Sequence, residues 1–271
     1  MNILVCIKQV PSSTQVTVDE KTGVLNRNGV ESKMNPYDLF AIEAALQLRE
    51  QAGGTVTALS MGPPQAKSIL EEALAMGADQ ACLLSDRRFA GADVVATSYT
   101  LSQGIRHLGV FDLIICGKQT TDGDTAQVGA EIAEFMDLPH AANVTSIGAI
   151  GPDHLLIDVN LEQIVQKQKI LLPCLLTVEK DLNMPRLPSY RRMLARRDDQ
   201  VQVLSLADFT DQDERHYGLA GSPTQVERIF PPVHEHEKHT TSGDADHVAG
   251  ELLALLLRLK VTPAQTACEI R

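Results

Sequence analysis

No run in the 271-residue chain approaches the ~18 consecutive apolar residues of a membrane-crossing helix, so no membrane span is expected. Positive charge is scarce. The chain has 24 Lys and Arg against 35 Asp and Glu, a net charge of −11, which argues against a general nucleic-acid binder. The five cysteines, Cys6, Cys82, Cys116, Cys174 and Cys268, include no CxxC pair. Three fall inside apolar, strand-like runs, as inert core thiols do in a reducing compartment. The first residues, MNILVCIKQV, have too short an apolar core for a signal peptide and lack a small-residue cleavage site, so the expected location is cytoplasmic. Two phosphate fingerprints are missing as well, G-x-x-x-x-G-K-[ST] and G-x-G-x-x-G. Kinase, ATPase and ordinary dinucleotide-dehydrogenase functions thereby lose their best support. No Ser/His/Asp or Cys/His arrangement stands out, so no catalytic residue is expected.

What is present is most informative between Asp112 and Phe135, DLIICGKQTTDGDTAQVGAEIAEF. Asp112 to Cys116 is a short apolar run of the kind that forms a parallel strand buried on both faces. A Gly/Asp/Thr-rich loop follows. Asp124 is placed to cap a helix, with Gln127 in the capping-box position, and Val128, Ile132 and Phe135 recur at helical spacing. Such a loop offers backbone N–H groups and a favourable dipole to an anion. At Gly123 a backbone that touches a phosphate would not easily accept a branched side chain, and glycine also tolerates φ > 0. Asp122 and Asp124 could hold Mg²⁺, but paired carboxylates in a loop serve more often as caps and turn formers, and no metal site is expected.

The first half of the chain alternates strand and helix: a strand at Ile3–Ile7, a hairpin excursion at Gln15–Val18 and Val24–Asn26, and a helix opened by Asn35-Pro36. A strand at Thr55–Met61, a helix at Pro63–Met76, a strand at Gln80–Ser85 and a helix at Asp93–His107 follow. This order predicts an α/β fold, a mostly parallel doubly wound sheet of Rossmann-like kind. After Pro139, runs at Asn143–Ile150, His154–Val159 and Gln163–Thr177 lack intervening helices and predict an antiparallel addition. From Lys180 onward the chain is polar and punctuated by proline, as in a linker or a partner-ordered arm. The expected division is a nucleotide domain over 1–190 and a docking loop with extended arm over 191–271. Val248, Leu252, Leu255, Leu256 and Leu259 form an apolar stripe on a terminal helix that needs another surface to cover it.

Several loops should converge at the carboxyl edge of the sheet: Cys6 at the end of the first strand, Asn35, Met61, the Gly91-Ala92-Asp93 helix start, and Gly117 to Val128. That geometry suits an extended nucleotide. Each could instead be an ordinary capped helix start. His234, His236, His239 and His247 read as a solvated segment rather than a metal cluster. Arg191, Arg192, Arg196 and Arg197, with Tyr190 and Met193 interleaved, are either a solvated face or a docking loop for an acidic partner.

Four motifs in order, M-N-P-Y-D (Met34–Asp38), L-S-M-G-P-P (Leu59–Pro64), A-L-A-M-G-A-D (Ala73–Asp79) and C-G-K-Q-T-T-D-G-D-T-A-Q-V-G (Cys116–Gly129), resemble the β subunit of electron transfer flavoprotein. The likeness covers about Asn2 to Arg197. It implies a fold of the adenine nucleotide alpha hydrolase kind, a heterodimer with an FAD-carrying α subunit, and an adenine nucleotide on this chain. Carried over by position, that nucleotide would contact Cys6, Asn35, Pro36, Tyr37, Asp38 and Met61. It would also contact Gly117, Lys118, Gln119, Thr120, Thr121, Asp122, Gly123, Asp124, Thr125, Ala126, Gln127 and Val128. Met184–Arg197, with Tyr190, Arg191, Arg192 and Met193 at its centre, corresponds to the loop that docks on acyl-CoA or related dehydrogenases. There the family's apolar anchor is replaced by Tyr190.

A further stretch, Ser85–Ser98 with Gly91, Ala92, Asp93 and Thr97, resembles the electron-bifurcating branch, as does Gly221–Val226. In that branch the nucleotide is FAD. The implied role is oxidation of NADH, with electrons divided between ferredoxin or flavodoxin and the α-subunit FAD. The alternatives are a simple electron carrier holding structural AMP and a non-redox adenine-nucleotide-binding module.

Overall fold

The computed structural model describes residues 1–12, 32–195, 197, 200–227 and 240–261, with the backbone of two short strands between the first two ranges. In chain order the strands and helices are β1 (Asn2–Cys6), β2 (Gln9–Pro11), β3 (Thr17–Val18), β4 (Leu25–Asn26), β5 (Ser32–Met34), α1 (Pro36–Ala52), β6 (Thr55–Met61), α2 (Lys67–Met76), β7 (Gln80–Leu84), α3 (Val94–Leu108), β8 (Leu113–Gly117) and α4 (Val128–Met136). Then come β9 (His140–Ile150), β10 (His154–Asn160), β11 (Val165–Leu171), β12 (Cys174–Val178), α5 (Tyr190–Leu194), β13 (Val201–Leu204) and α6 (Ala245–Arg258).

Nine strands form one sheet in the order β11-β10-β9-β12-β8-β1-β6-β7-β13. The pairs from β9 through β13 are all parallel, while β10 and β11 run antiparallel at one end. Ile3 and Val5 point into a core with Ile42 and Leu46 of α1 and Ile69 and Leu70 of α2. Leu4 and Cys6 point the other way, into a core with Leu101 and Ile105 of α3 and Ile132 of α4. Consecutive apolar residues in β1 are thus used on both faces, which is why its sequence does not alternate. The expected α/β class and mostly parallel doubly wound sheet are present.

Three expectations change. The run Gln163–Thr177 is not one antiparallel strand. It breaks at Leu172-Pro173, and β12 beyond the break pairs in parallel with both β8 and β9, deep in the sheet. The Pro- and charge-rich stretch after Lys180 is not all linker. β13 adds a parallel edge strand beside β7, and Leu206, Phe209 and Tyr217 are buried in the second core. Tyr217 is 1% exposed, its ring lies 5.6 Å from Phe89 and 6.0 Å from Phe209, and its hydroxyl donates to the Asp211 carbonyl at 2.6 Å. The compact unit accordingly runs Met1–Arg228 rather than ending at 190, and Ile229–Arg271 forms a second unit. Of the hairpin excursion, β3 and β4 pair antiparallel as expected, while Gln15, Val16 and Val24 lie outside the described residues. So do Arg196, His234, His236, His239 and Cys268; Cys6, Cys82, Cys116 and Cys174 are buried free thiols.

If Ser205–Gly218 belongs to the core, Tyr217→Ala should cost about 3–5 kcal/mol in urea unfolding, the usual penalty for emptying a buried aromatic site. Tyr190→Ala, at an exposed position, should leave the unfolding midpoint within error. Equal, small effects from both would mean that the segment only rests on the surface.

Candidate functional site

From β1 the chain moves outward on one side through β6 and β7, then returns to the other side of β1 as β8. Open α/β sheets form their ligand crevice at such a reversal, beyond the carboxyl ends of the strands. Cys6 and Cys116 are register partners at those ends. The Cys116 thiol is held well above the ordinary range, first by its hydrogen bond with Cys6 and then by burial, so it stays protonated.

The loop Gly117–Gln127 lies over this edge. Only glycine fits at its root: a Cβ on Gly117 would collide with Asp38 Oδ1 and fall 2.8 Å from Tyr37 Cβ. Asn35 clamps the loop from below. Its Nδ2 donates to the Gln119 carbonyl at 2.9 Å, and its Oδ1 accepts from the Thr121 amide at 3.2 Å. A second restraint is the Lys8 ammonium, which donates to both Asp122 oxygens at 2.7 and 2.8 Å. Gln119 in turn donates to the Asp124 carboxylate. Lys118 is drawn aside, its ammonium bonded to Glu179 at 2.8 Å.

Asp38 sits beneath all of this, 4% exposed. Its carboxylate accepts from Asn35 Nδ2 at 2.9 Å, from the Lys8 amide at 2.7 Å and from the Gly117 amide. Burial nevertheless pushes its pKa up to about 7 against those three donors. Asn35 was expected to cap α1. It stands at the cap position but makes no side-chain cap bond, because both ends of its amide are committed to Asp38 and the loop.

The start of α4 also differs from expectation. Asp124 is not the cap. It lies inside the loop with φ 53°, Ala126 follows with φ 55°, and the helix begins at Val128. Gln127, the residue at the cap position, makes no side-chain bond to the first turn. The first-turn amides of α4 therefore have no side-chain cap, and the one acidic group of that turn is Glu131. Thr121 to Gln127 are exposed along the approach. Gly123 has no left-handed φ, and a Cβ there would meet nothing closer than Thr120 Oγ1 at 3.5 Å, so the fold itself does not require glycine at this position.

The second helix start, that of α3, lies alongside. Ser98 Oγ, which donates to the Val94 carbonyl at 2.8 Å, lies 3.4 Å from the Val128 carbonyl, so the N-terminal ends of α3 and α4 are neighbours. Here Asp93 is a working cap, accepting from the Ala96 amide at 3.0 Å. Its other oxygen accepts from Thr224 N at 2.9 Å and Oγ1 at 2.7 Å, and its own amide donates to Ser222 Oγ at 2.8 Å. The segment through Ser222 and Thr224 thus closes over Gly91-Ala92-Asp93, and Gly91, with φ 75°, packs on Leu219. Thr97 is half-buried one turn on, its amide in the helix ladder with the Asp93 carbonyl. Between the two helices, burial raises the Glu131 carboxyl pKa, and its Oε2 is buried without a hydrogen-bond partner.

Met61, at the end of β6, packs on the second core, and Pro36 and Tyr37 are half-buried at the start of α1. Lys8 was missed from the sequence, whereas Ser222 and Thr224 lie in the Gly221–Val226 stretch whose resemblance was noted without a role for either side chain. Lys8 has a recognisable signal of its own, one position beyond an apolar strand that ends at the reversal. Among the described residues no helix is long and apolar enough to cross a membrane, and no group of three His, Cys, Asp or Glu is placed to hold a metal.

The segment from Asn183 to Leu194, expected to dock a partner, is far from a loose linker. Arg186 grips Glu43 of α1 through Nε at 2.8 Å and Nη2 at 3.0 Å, and Glu50 through Nη1 at 2.6 Å. Asn183 donates to the Phe40 carbonyl, and the Ser189 amide to the Ala75 carbonyl at the end of α2. From this strap Met184 (87%), Leu187 (88%), Tyr190 (73%) and Leu194 (70%) stand exposed. Arg191, Arg192 and Met193 are exposed with them on the short helix α5.

A parallel sheet with an uncapped helix start at its reversal is the architecture of α/β proteins that bind nucleotides at that edge. A family model described as the electron transfer flavoprotein domain matches residues 22–209. The chain is 46% identical over 228 residues to the electron transfer flavoprotein subunit beta of Clostridium acetobutylicum, covering 84% of this chain and 87% of that protein. It is 43% identical over 258 residues to the caffeyl-CoA reductase-Etf complex subunit CarD of Acetobacterium woodii, covering 94% and 98%. It is also 43% identical over 247 residues to protein FixA of Azorhizobium caulinodans, covering 89% and 88%. The chain belongs to the electron transfer flavoprotein family, among its β subunits.

Two glycines should separate folding from binding at this edge. Gly117→Ala forces a Cβ onto Asp38 and the Tyr37 backbone and should destabilise by about 1–3 kcal/mol. Gly123→Ala meets only ordinary contacts, and its unfolding midpoint should match wild type.

Proposed function

We propose that this chain is the β subunit of an electron-bifurcating flavoprotein heterodimer and carries FAD at the β1–β8 edge. The observation that carries the proposal is the pair of adjacent helix starts. The uncapped first turn of α4 offers amides to a phosphate, and the start of α3, one Ser98–Val128 contact away, lies where a cofactor longer than AMP would continue. The donor set fits an adenine nucleotide: open amides on α4, a glycine-rooted loop above a buried polar base, and an orphaned Glu131 Oε2 between the helices. When bound, the flavin supplies two-electron exchange with NADH and one-electron exchange with ferredoxin or flavodoxin and with the α-subunit FAD. This chain's residues hold and orient it. Asn35 and Lys8 fix the loop, α4 meets the phosphate, and the α3 edge sets how far the cofactor extends.

The simple carrier with AMP is the second reading, and one observation favours it. Ser222 and Thr224 already occupy the amide and carboxylate of Asp93, so the α3 start is less open than that of α4. In either case the strap around Tyr190 and Arg191 is the docking element for an acyl-CoA or related dehydrogenase. The name of CarD, a subunit of a caffeyl-CoA reductase complex, supports a partner that works on CoA esters. In α6 Leu252 and Leu253 are exposed, as is Leu259 just past its last residue, and we assign this apolar helix to the α subunit.

Purified with its α subunit, the protein should contain two FAD per heterodimer, and NADH should bleach the flavin absorbance. One FAD plus one AMP, with no response to NADH, would replace bifurcation by simple carriage. Truncation after Thr241 should weaken heterodimer formation at least tenfold in sedimentation. Wild-type assembly by the truncated chain would free α6 for another role.

A further inference from the structure

We propose that Cys6 and Cys116 form an oxidation site at the floor of the crevice, a dithiol that hydrogen peroxide converts to a disulfide, and that the disulfide weakens adenine-nucleotide binding at the edge above it. The oxidation site stands on the placement of the two thiols. Its link to binding rests on the nucleotide assignment above and deepens it.

Register brings the thiols together. Cys6 and Cys116 are the last partners of the β1–β8 ladder, and both side chains enter the second core, so they leave their strands on the same side. Neighbouring strands lie about 4.8 Å apart, inside the ~4.4–6.8 Å between Cα atoms that a disulfide spans. The sulfurs already meet in a hydrogen bond. Cys82 and Cys174 have no such neighbour in register: Cys82 stands beside Leu59 and Gln202, and Cys174 beside Leu113. They also lie deeper, at 1% and 0% exposed, against 9% for Cys6 and 6% for Cys116.

Cys116 keeps its proton and donates it to the hydrogen bond, which leaves Cys6, the more exposed sulfur, as acceptor and as the first to meet an oxidant. Cys6 Sγ attacks one oxygen of the peroxide, the O–O bond breaks, and the Cys6 proton leaves with the far oxygen as water. The product is a Cys6 sulfenic acid. Cys116 Sγ attacks that sulfur, the S–O bond breaks, and the Cys116 proton leaves with the hydroxyl as a second water. The thiols have lost two electrons to the peroxide, and one S–S bond has formed. That bond draws the sulfurs from hydrogen-bond contact to about 2.05 Å. Each strand end carries a support of the loop above. Lys8, two residues beyond Cys6, holds Asp122, and Gly117, next to Cys116, sits where even a Cβ has no room. A small displacement of either end therefore reaches the loop.

The test treats the heterodimer, freed of its β-subunit nucleotide, with hydrogen peroxide, blocks the remaining thiols and maps unreduced peptides by mass. A Cys6–Cys116 cross-link should form while Cys82 and Cys174 stay reduced, and dithiothreitol should release it. Cys6→Ser and Cys116→Ser should each abolish it, and the wild-type map carries the result if a serine variant fails to fold. Oxidation of Cys6 and Cys116 no faster than of Cys82 and Cys174, or of Cys6 to a sulfinic acid with no cross-link, overturns the oxidation site. AMP, and separately FAD, should bind the oxidised heterodimer about tenfold more weakly than the reduced one. Coupling is reciprocal, so saturating nucleotide should raise the midpoint potential of the pair in glutathione redox buffers by about 30 mV. A cross-link that leaves affinity and midpoint unmoved overturns the link to binding. A reduced heterodimer that binds neither nucleotide removes the nucleotide assignment and that link together, while the oxidation site is decided by the peptide map alone.

Discussion

The reversal of the chain at β1 is the constraint on which the rest of this structure depends. β1 is buried on both faces and paired on both edges, so its carboxyl end is fixed by two cores and two ladders at once. The chain then runs to β6 on one side and returns to β8 on the other, which leaves a crevice between the two departing connections. Every polar group in that crevice hangs from an element ending there: Lys8 from β1, Asn35 and Asp38 from the start of α1, and the Gly117 loop from β8. Packing supplies the rigidity, and the polar groups inherit it.

Within the crevice one buried acid organises the rest. A carboxylate with almost no exposure is costly unless several donors meet it, and Asp38 is met by three N–H groups from three separate segments. Satisfying it draws the Lys8 segment, the α1 start and the Gly117 strand end into one place. The loop above then needs little further holding than Asn35 and the exposed Lys8–Asp122 pair, which contributes little by itself at the surface. Gly117 is the position where this crowding admits no side chain. Gly123, the more conspicuous glycine in the sequence, is under no such demand.

Much of this was legible in the sequence because it rests on local signals. The strand at Thr55–Met61 appears at its expected boundaries, and α3 begins behind the Asp93 cap, since apolar runs and caps are read over a few residues. What failed depends on distant partners. Asp124 has the chemistry of a cap, but the loop bends it into a left-handed conformation and passes its side chain to Gln119. Asn35 has the chemistry of a cap too, and is diverted by Asp38 and a loop more than 80 residues away. β13 and Tyr217 sit in a stretch whose composition is that of a linker. Four strand residues and a few buried aromatic side chains are too sparse a pattern to outweigh the surrounding charge and proline. β12 was hidden because a polar antiparallel strand and a buried parallel one follow each other in one strand-like stretch, divided only at the Leu172-Pro173 junction.

The two helix starts are chemically unequal, and that inequality bears on how a nucleotide would be read. The first turn of α4 has no side-chain cap and carries only Glu131 as an acidic group; that of α3 is capped by Asp93, whose carboxylate also accepts from Thr224. Under the nucleotide assignment proposed above, phosphate recognition concentrates at α4 rather than at the capped start of α3. The segment carrying Ser222 and Thr224 covers Gly91-Ala92-Asp93 and, under that assignment, limits the length of what fits there. The same economy of fixed supports recurs at the docking strap. Arg186, Asn183 and Ser189 pin its backbone to α1 and α2, so the exposed Met184, Leu187 and Tyr190 are presented with little ordering left to do. Preorganised contacts lose less entropy on association. Under the docking role proposed above, a partner meets these side chains on a backbone already held by the bonds to Glu43.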